Sequence, residues 1–123
     1  ASVALRIVHG ANTLHFSGDT PTSDAQNLEE ANYASSLPAR FYKVAHHGSR
    51  YSSSSSFLTK MDGGAGLRYS FISCGAGNSY GHPHTETLNR LTAVGSLIYR
   101  TDKSGSLRVT TDGLGGYFIG TNQ

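Results

Sequence analysis

Three short apolar runs in this chain each end in a glycine-bearing polar loop. "TLHF" leads into "SGDTP", "RFYKVA" into "HHGS", and "RYSFISC" into "GAGNSYGHPH". Stretches with helical spacing lie between them. Short strands that alternate with helices confine a chain to a partly parallel sheet covered by helices. In such sheets, sites form in the loops beyond the carboxyl ends of the strands. This order allows an aspartate and two pairs of histidines, spread over 66 positions from Asp19 to His84, to converge on one place.

The rest of the chain fits the same pattern. Val3, Leu5 and Ile7 alternate with small or polar neighbours, as a half-buried strand does. "HGAN" is a turn and "TLHFSG" the returning strand of a hairpin. Residues 22–37 are predicted as a helix that starts near Ser23 or Asp24 and ends before Pro38. The serine run caps a second helix through "FLTKM", which "GGAG" breaks. Thr85 is predicted to cap a third helix, "ETLNRLTAV", with Gly95 at its end. "SLIYRT" is a strand, "DKSG" a tight turn, "SLRVTT" its return strand, and "GYFIGT" the last strand. The order ββ-α-β-α-β-α-βββ shows neither an internal repeat nor a linker, so residues 1–123 are predicted as one domain.

Composition sets bounds. A chain of 123 residues can bury one modest core. An apolar fraction of 37% with 15 glycines implies short elements and many turns. A net charge of +2, from scattered Arg and Lys, argues against a nucleic-acid footprint made by charge alone. No apolar run approaches the roughly 20 residues of a membrane span. The single cysteine, Cys74, excludes an internal disulfide framework and reads as a small buried residue. No basic and apolar leader opens the sequence, and the start at Ala1 fits a processed chain, a cut chain or part of a longer polypeptide.

Several residues could carry chemistry. Asp19 follows a strand and a glycine, where a carboxylate can face a cation or else cap a helix as an Asx turn. His46 and His47 offer imidazoles suited to Zn, Mn or Fe. Adjacent residues at a strand end point in different directions, so one can ligate while the other supports it or meets substrate. Gly48 permits close backbone approach, Ser49 offers a hydroxyl or N–H to an anion, and Arg50 is placed for a phosphate. His82 and His84 are held apart by Pro83. His9 and His15 flank the first hairpin turn and read as exposed strand residues.

Together, "LRIVHGANTLHFSGD", "FYKVAHHGSRYSSSSSFL", "YSFISCGAGNSYGHPHTETLNRL" and "IYRTDKSGSLRVTTDG" resemble the carboxyl-terminal half of the metallo-β-lactamase fold. More narrowly, they resemble the branch found at the end of the bacterial DNA-uptake channel protein (ComEC type) and in related stand-alone hydrolases. The resemblance runs over residues 2–113, and "HHGS" with "YGHPH" carries most of it. It implies an α/β fold: half of an αββα sandwich, a mixed sheet with helices on one face. It also implies one or two Zn2+ ions, with Mn2+ as the alternative. Asp19 would bridge the ions, with His46 as the favoured histidine ligand and His47 the second choice. Asp19, His47 and His82 would be the catalytic groups, and Ser49, Arg50 and His84 would contact substrate. The substrate would be a phosphoester or related anion, nucleic acid included.

The H-x-H-x-D-H motif of the first half of that fold is absent. The resemblance therefore implies a half-domain whose complete site needs a missing N-terminal half, a partner chain or a homodimer. The sheet face meant for the other half would be an apolar patch. The alternative is a non-catalytic interaction module that kept the fold and lost the metal site.

Overall fold

The computed structural model describes residues 2–64 and 66–122, so Ala65 of the predicted helix breaker "GGAG" lies outside the described residues. Strands β1 (Leu5–His9) and β2 (Asn12–Phe16) form an antiparallel hairpin. β3 (Phe41–Lys43), β4 (Tyr69–Ile72) and β5 (Leu97–Arg100) then add in parallel, giving the order β1-β2-β3-β4-β5. The three crossovers carry α1 (Asn27–Tyr33), α2 (Ser55–Asp62) and α3 (Thr85–Ala93). Parallel crossovers are right-handed, and here each strand joins its immediate predecessor in one direction. All three helices therefore fall on one face, as the half-sandwich expectation requires.

That face holds the core. Tyr42 and Ile72 meet Phe57, Leu58 and Met61 of α2 and Leu91 of α3, and all six are fully buried. Ser54 caps α2 by accepting a hydrogen bond from the N–H of Phe57 at 3.1 Å, and Gly63 ends it in the left-handed region. The neighbouring serines are structural as well. The Tyr42 hydroxyl meets Ser53 Oγ at 2.8 Å, Ser53 N–H donates to Gln26 Oε1 at 2.6 Å, and Ser52 Oγ donates to the Thr20 carbonyl at 2.7 Å. This buried network ties the serine run to the loop after β2.

Four expectations need correction. The helix over 22–37 is not uniform: a wide π-type turn, Thr22–Gln26, precedes α1, and a 3-10 turn, Ala34–Ser36, follows it. Burial of the Gln26 side chain in the serine network widens the first turn, where Gln26 N–H reaches back to Pro21 O at 3.0 Å. Thr85 does not cap α3; it is the first helical residue and His84 holds the cap position. His15 is not exposed: it is 3% accessible, donates through Nε2 to Glu29 at 2.9 Å and meets Ser17 Oγ through Nδ1 at 3.1 Å. Its side chain lies on the helix-covered face, in the same register row as Tyr42 and Ser70.

The fourth correction concerns the end of the chain. β6 (Leu107–Thr111) does not return along β5; it pairs with β7 (Tyr117–Thr121) in a separate two-stranded sheet. A helical turn, α4 (Thr101–Ser104), intervenes. Arg100 clamps Asp102 with two bonds, at 3.0 and 2.7 Å, and Thr101 Oγ1 bonds both the N–H and the carbonyl of Cys74 at 2.9 and 3.0 Å. These contacts turn the chain away from the β5 edge.

The β6–β7 hairpin lies over the other face of the main sheet. Tyr117 packs edge-on to Phe41 at 5.2 Å, and its hydroxyl meets that of Tyr69 at 2.9 Å. Gly10, at φ +60°, lies so close to Gly113 that a Cβ there would stand 2.0 Å from the Gly113 carbonyl oxygen. The hairpin leaves an apolar groove of about 360 Å3 between Phe16, Phe41 and Phe71 on one side and Leu107 and Val109 on the other. Lys43 reaches into it, and burial pushes its ammonium below the usual lysine range, with the Asp19 charge acting the other way. Towards the sheet edges the same face stays open, with Leu5 and Leu97 56% and 61% exposed. The expected apolar patch is thus present at the edges and covered in the middle.

The Arg100–Asp102 clamp makes a pH prediction. Its hydrogen bonds hold the Asp102 carboxyl below the usual carboxylate range. The unfolded chain then takes up the proton first as pH falls, so the clamp's stabilisation is complete above about pH 4 and is lost below it. Asp102→Asn is expected to lower the melting temperature at pH 7, and calorimetry at successively lower pH should show the gap to the parent closing. A gap independent of pH would remove this role for the clamp.

Candidate functional site

Parallel pairing brings the three loops together. Phe16, Lys43, Phe71 and Tyr99 stand side by side in register, so the segments that follow β2, β3 and β4 leave the sheet at one edge. The first two are joined directly, because the His46 N–H donates to the Gly18 carbonyl at 2.8 Å. Asp19 and the histidine doublet thereby become neighbours.

The doublet sits in an unusual backbone. His46 (φ 49°, ψ 47°) and His47 (φ 55°, ψ 26°) are both left-handed, and Gly48 follows at φ 81°. Histidine is among the residues that tolerate this region, at a cost of about 1–3 kcal/mol each. The surroundings hold the turn in place. Ser49 N–H donates to the His46 carbonyl at 2.9 Å, His84 N–H to the Gly48 carbonyl at 3.0 Å, and Ala45 N–H to the buried Tyr42 hydroxyl at 3.2 Å. A Cβ at Gly48 would stand 2.6 Å from Pro83 Cβ, so glycine is required where the two histidine loops touch.

His47 is the ring that faces Asp19. Its Nδ1–H donates to the Ser73 carbonyl at 2.7 Å, and its Nε2 lies 3.8 Å from Asp19 Oδ1. Both side chains are about half exposed, at 48% and 59%. The sequence favours His46, the first residue after the strand, as the partner of Asp19; the left-handed turn presents His47 instead. His46 lies edge-on to His82, with ring centroids 5.6 Å apart. His82 stacks on His47 at 6.0 Å and 23°. Burial, then the charges of His84, His46 and His47, push the His82 imidazole below the usual histidine range.

The residues expected to contact substrate take other parts. Ser49 is 1% exposed, and its hydroxyl accepts from the Tyr51 N–H at 3.2 Å, so it closes a turn and cannot reach a ligand. Arg50 donates to Glu86 at 3.0 Å, although the pair is half exposed. Both ring nitrogens of His84 are engaged: Nδ1 accepts from the Arg50 N–H at 2.9 Å, and Nε2–H donates to the Tyr80 carbonyl at 3.2 Å. His84 is thus a strut of the loop. Two residues carry more weight than the sequence suggested. Asn78 Oδ1 accepts from the N–H groups of Tyr80 and His82, at 3.1 and 3.0 Å, while its Nδ2 donates to the carbonyls of Gly75 and His82, at 2.9 and 2.6 Å. Tyr80 stacks on His82 at 5.6 Å and 18°. The signal for both was their place in "NSYGHP", within the quoted motif.

A separation of 3.8 Å between Asp19 Oδ1 and His47 Nε2 lets one ion stand about 2.1 Å from each. The Ser73 carbonyl fixes the tautomer and orientation that a ligating imidazole needs. The pair therefore fits two corners of a cation site. Among the described residues, no three His, Cys, Asp or Glu side chains form a group that could hold a metal ion, so the fit stops at two donors.

No protein-family model matches the chain, and no solved structure matches it. Two curated proteins do. Over 107 residues, 87% of this chain, it is 36% identical to "Competence protein ComA" of Neisseria gonorrhoeae. Over 108 residues, 88% of this chain, it is 29% identical to "ComE operon protein 3" of Bacillus subtilis (strain 168). The chain is a homologue of one segment of these competence proteins. It spans 15% and 13% of their lengths. The competence relation agrees with the branch that the sequence resembles. Among the described residues, no helix is long and apolar enough to cross a membrane.

The contact between Gly48 and Pro83 makes a prediction. Gly48→Ala adds a methyl where none fits, on a left-handed backbone, and is expected to destabilise the fold by about 1–3 kcal/mol in urea unfolding. A midpoint equal to the parent's would show that the two loops are not locked together.

Proposed function

We propose that this chain carries the carboxyl-terminal part of a metal-dependent hydrolase centre of the metallo-β-lactamase type, acting on a phosphoester, in a protein of DNA uptake. The observation that carries this reading is the His47–Asp19 pair, in which an imidazole nitrogen held by Ser73 and a carboxylate oxygen face each other across 3.8 Å at the meeting point of three loops. The left-handed doublet supports it, because backbone strain of this kind clusters where geometry serves a site. The competence relatives support the setting in DNA uptake.

A divalent ion at such a centre supplies Lewis acidity towards a phosphoryl oxygen and lowers the pKa of water towards about 7. The chain's own residues have defined parts in that reading. Asp19 and His47 are donors. Ser73 holds the His47 ring through Nδ1, and His46 lies edge-on to it with ring centroids 6.3 Å apart. His82, beside the pair, hydrogen-bonds the leaving group. Arg50 neutralises substrate charge when it leaves Glu86. A catalytic zinc site usually takes three protein ligands, so further donors come from outside the described residues, from a preceding half or a partner chain. The open edge of the sheet face is where such a half would rest.

Equilibrium dialysis of the complete protein, with the preceding half or partner chain that supplies the further donors, against Zn2+ or Mn2+ tests Asp19 and His47. Asp19→Asn and His47→Asn, the second chosen because asparagine tolerates a left-handed backbone, are each expected to weaken metal affinity by about tenfold or more. Cleavage of bis(p-nitrophenyl) phosphate is expected to fall with occupancy. Metal uptake that neither substitution changes would overturn the assignment. A complete protein, with the preceding half or partner chain in place, that takes up no metal would leave the interaction module as the better reading.

A further inference from the structure

We infer that Tyr80 is a stacking platform for an unpaired nucleobase, and that it guides a single-stranded nucleic acid into the candidate site. This rests on the phosphoester reading above and narrows its substrate class.

Three flat rings run in series from solvent to the candidate cation pair. Tyr80 lies nearly parallel to His82 (18°, 5.6 Å), and His82 nearly parallel to His47 (23°, 6.0 Å), whose Nε2 faces Asp19. Tyr80 is 76% exposed although one ring face rests on His82, so its other face is open. A cleft of about 180 Å3 continues from it, lined by His47, Cys74, Gly75, Asn78, Tyr80 and His82.

Isolated exposed aromatics are common on protein surfaces and carry no message. Tyr80 differs in how firmly its backbone is held. Asn78 uses its carbonyl oxygen twice and its amide group twice to brace this loop, and the Tyr80 carbonyl accepts from His84. A rigid aromatic loses little freedom on binding, which is what preorganisation for a ligand requires. The neighbourhood also suits a polyanion. The Arg50 guanidinium lies 6.0 Å over the ring of Tyr51, itself 70% exposed, and Arg90 donates to the Arg50 carbonyl at 3.0 Å. Glu86, paired with Arg50, offsets one of these two positive charges.

The chemistry selects the ligand. An exposed ring face next to a phosphoester site favours a flat group attached to a phosphate. Bases within a duplex already stack on their neighbours and present only edges. Unpaired bases have free faces, and proteins bind single strands by pairing those faces with aromatic side chains.

Fluorescence anisotropy with a labelled oligothymidylate, in EDTA and low salt, tests the inference without depending on metal or turnover. Tyr80→Ala is expected to weaken binding about 5- to 100-fold, the range of one lost base stack. Tyr80→Phe, which keeps the ring, is expected to bind like the parent, as is Tyr33→Ala, which removes an exposed tyrosine on α1. An abasic strand of equal length should bind the parent and Tyr80→Ala equally. Equal affinity of Tyr80→Ala and parent for the thymidylate strand, no binding of it at all, or the same loss on the abasic strand would each overturn the platform. The two proposals fail separately. Tyr80-dependent binding in a complete protein that takes up no metal leaves a single-strand binding module, whereas metal uptake without a Tyr80 effect removes the platform alone.

Discussion

Everything at the candidate site follows from the parallel pairing of β2, β3 and β4. Parallel neighbours end at the same edge, so the loops that follow them must share that edge. An antiparallel arrangement would send alternate loops to opposite ends and separate Asp19 from the histidine doublet. The same pairing explains the uneven coverage of the sheet. Successive right-handed crossovers in one direction place the helices and the main core on one side. The other side is left to a two-stranded hairpin that spans only its middle.

The second constraint is local and costly. Two consecutive left-handed histidines would not persist in an isolated loop, since each favours other conformations by about 1–3 kcal/mol. Here the turn is fixed from three directions: from Gly18 after β2, from Tyr42 in the core, and from Pro83 and His84 ahead of α3. Core packing thus sets the aim of an imidazole at the surface. The buried Tyr42 hydroxyl joins these levels, because it bonds Ser53 in the serine network and supports Ala45 at the start of the turn.

Much of this was legible in the sequence. The strands, the helices and their order follow from periodicity and capping residues, and Ser54 and Gly63 bound α2 as their types predict. Strand order allowed the loops that bear Asp19, His46, His47 and His82 to converge, and the parallel pairing with the His46–Gly18 hydrogen bond brings them together. Other features were not legible. Nothing local marks His15 as buried, because its neighbours alternate as on any half-exposed strand; Glu29, 14 positions away, makes the burial tolerable. The pairing of β6 with β7 depends on the Arg100–Asp102 clamp and on Thr101 bonding Cys74, 27 positions distant. Ser49 and His84 look like ligand groups in sequence, yet both spend their hydrogen bonds on the loop itself.

The sequence by itself determined which residue types gather at the strand ends, since alternation and turn chemistry act over a few neighbouring positions. Only the tertiary structure decided which imidazole faces the carboxylate, which serines are buried, and which aromatic ring stays open to solvent. Those outcomes depend on backbone angles and hydrogen bonds set by residues far away in the chain, and a side chain's direction follows from them rather than from its own identity.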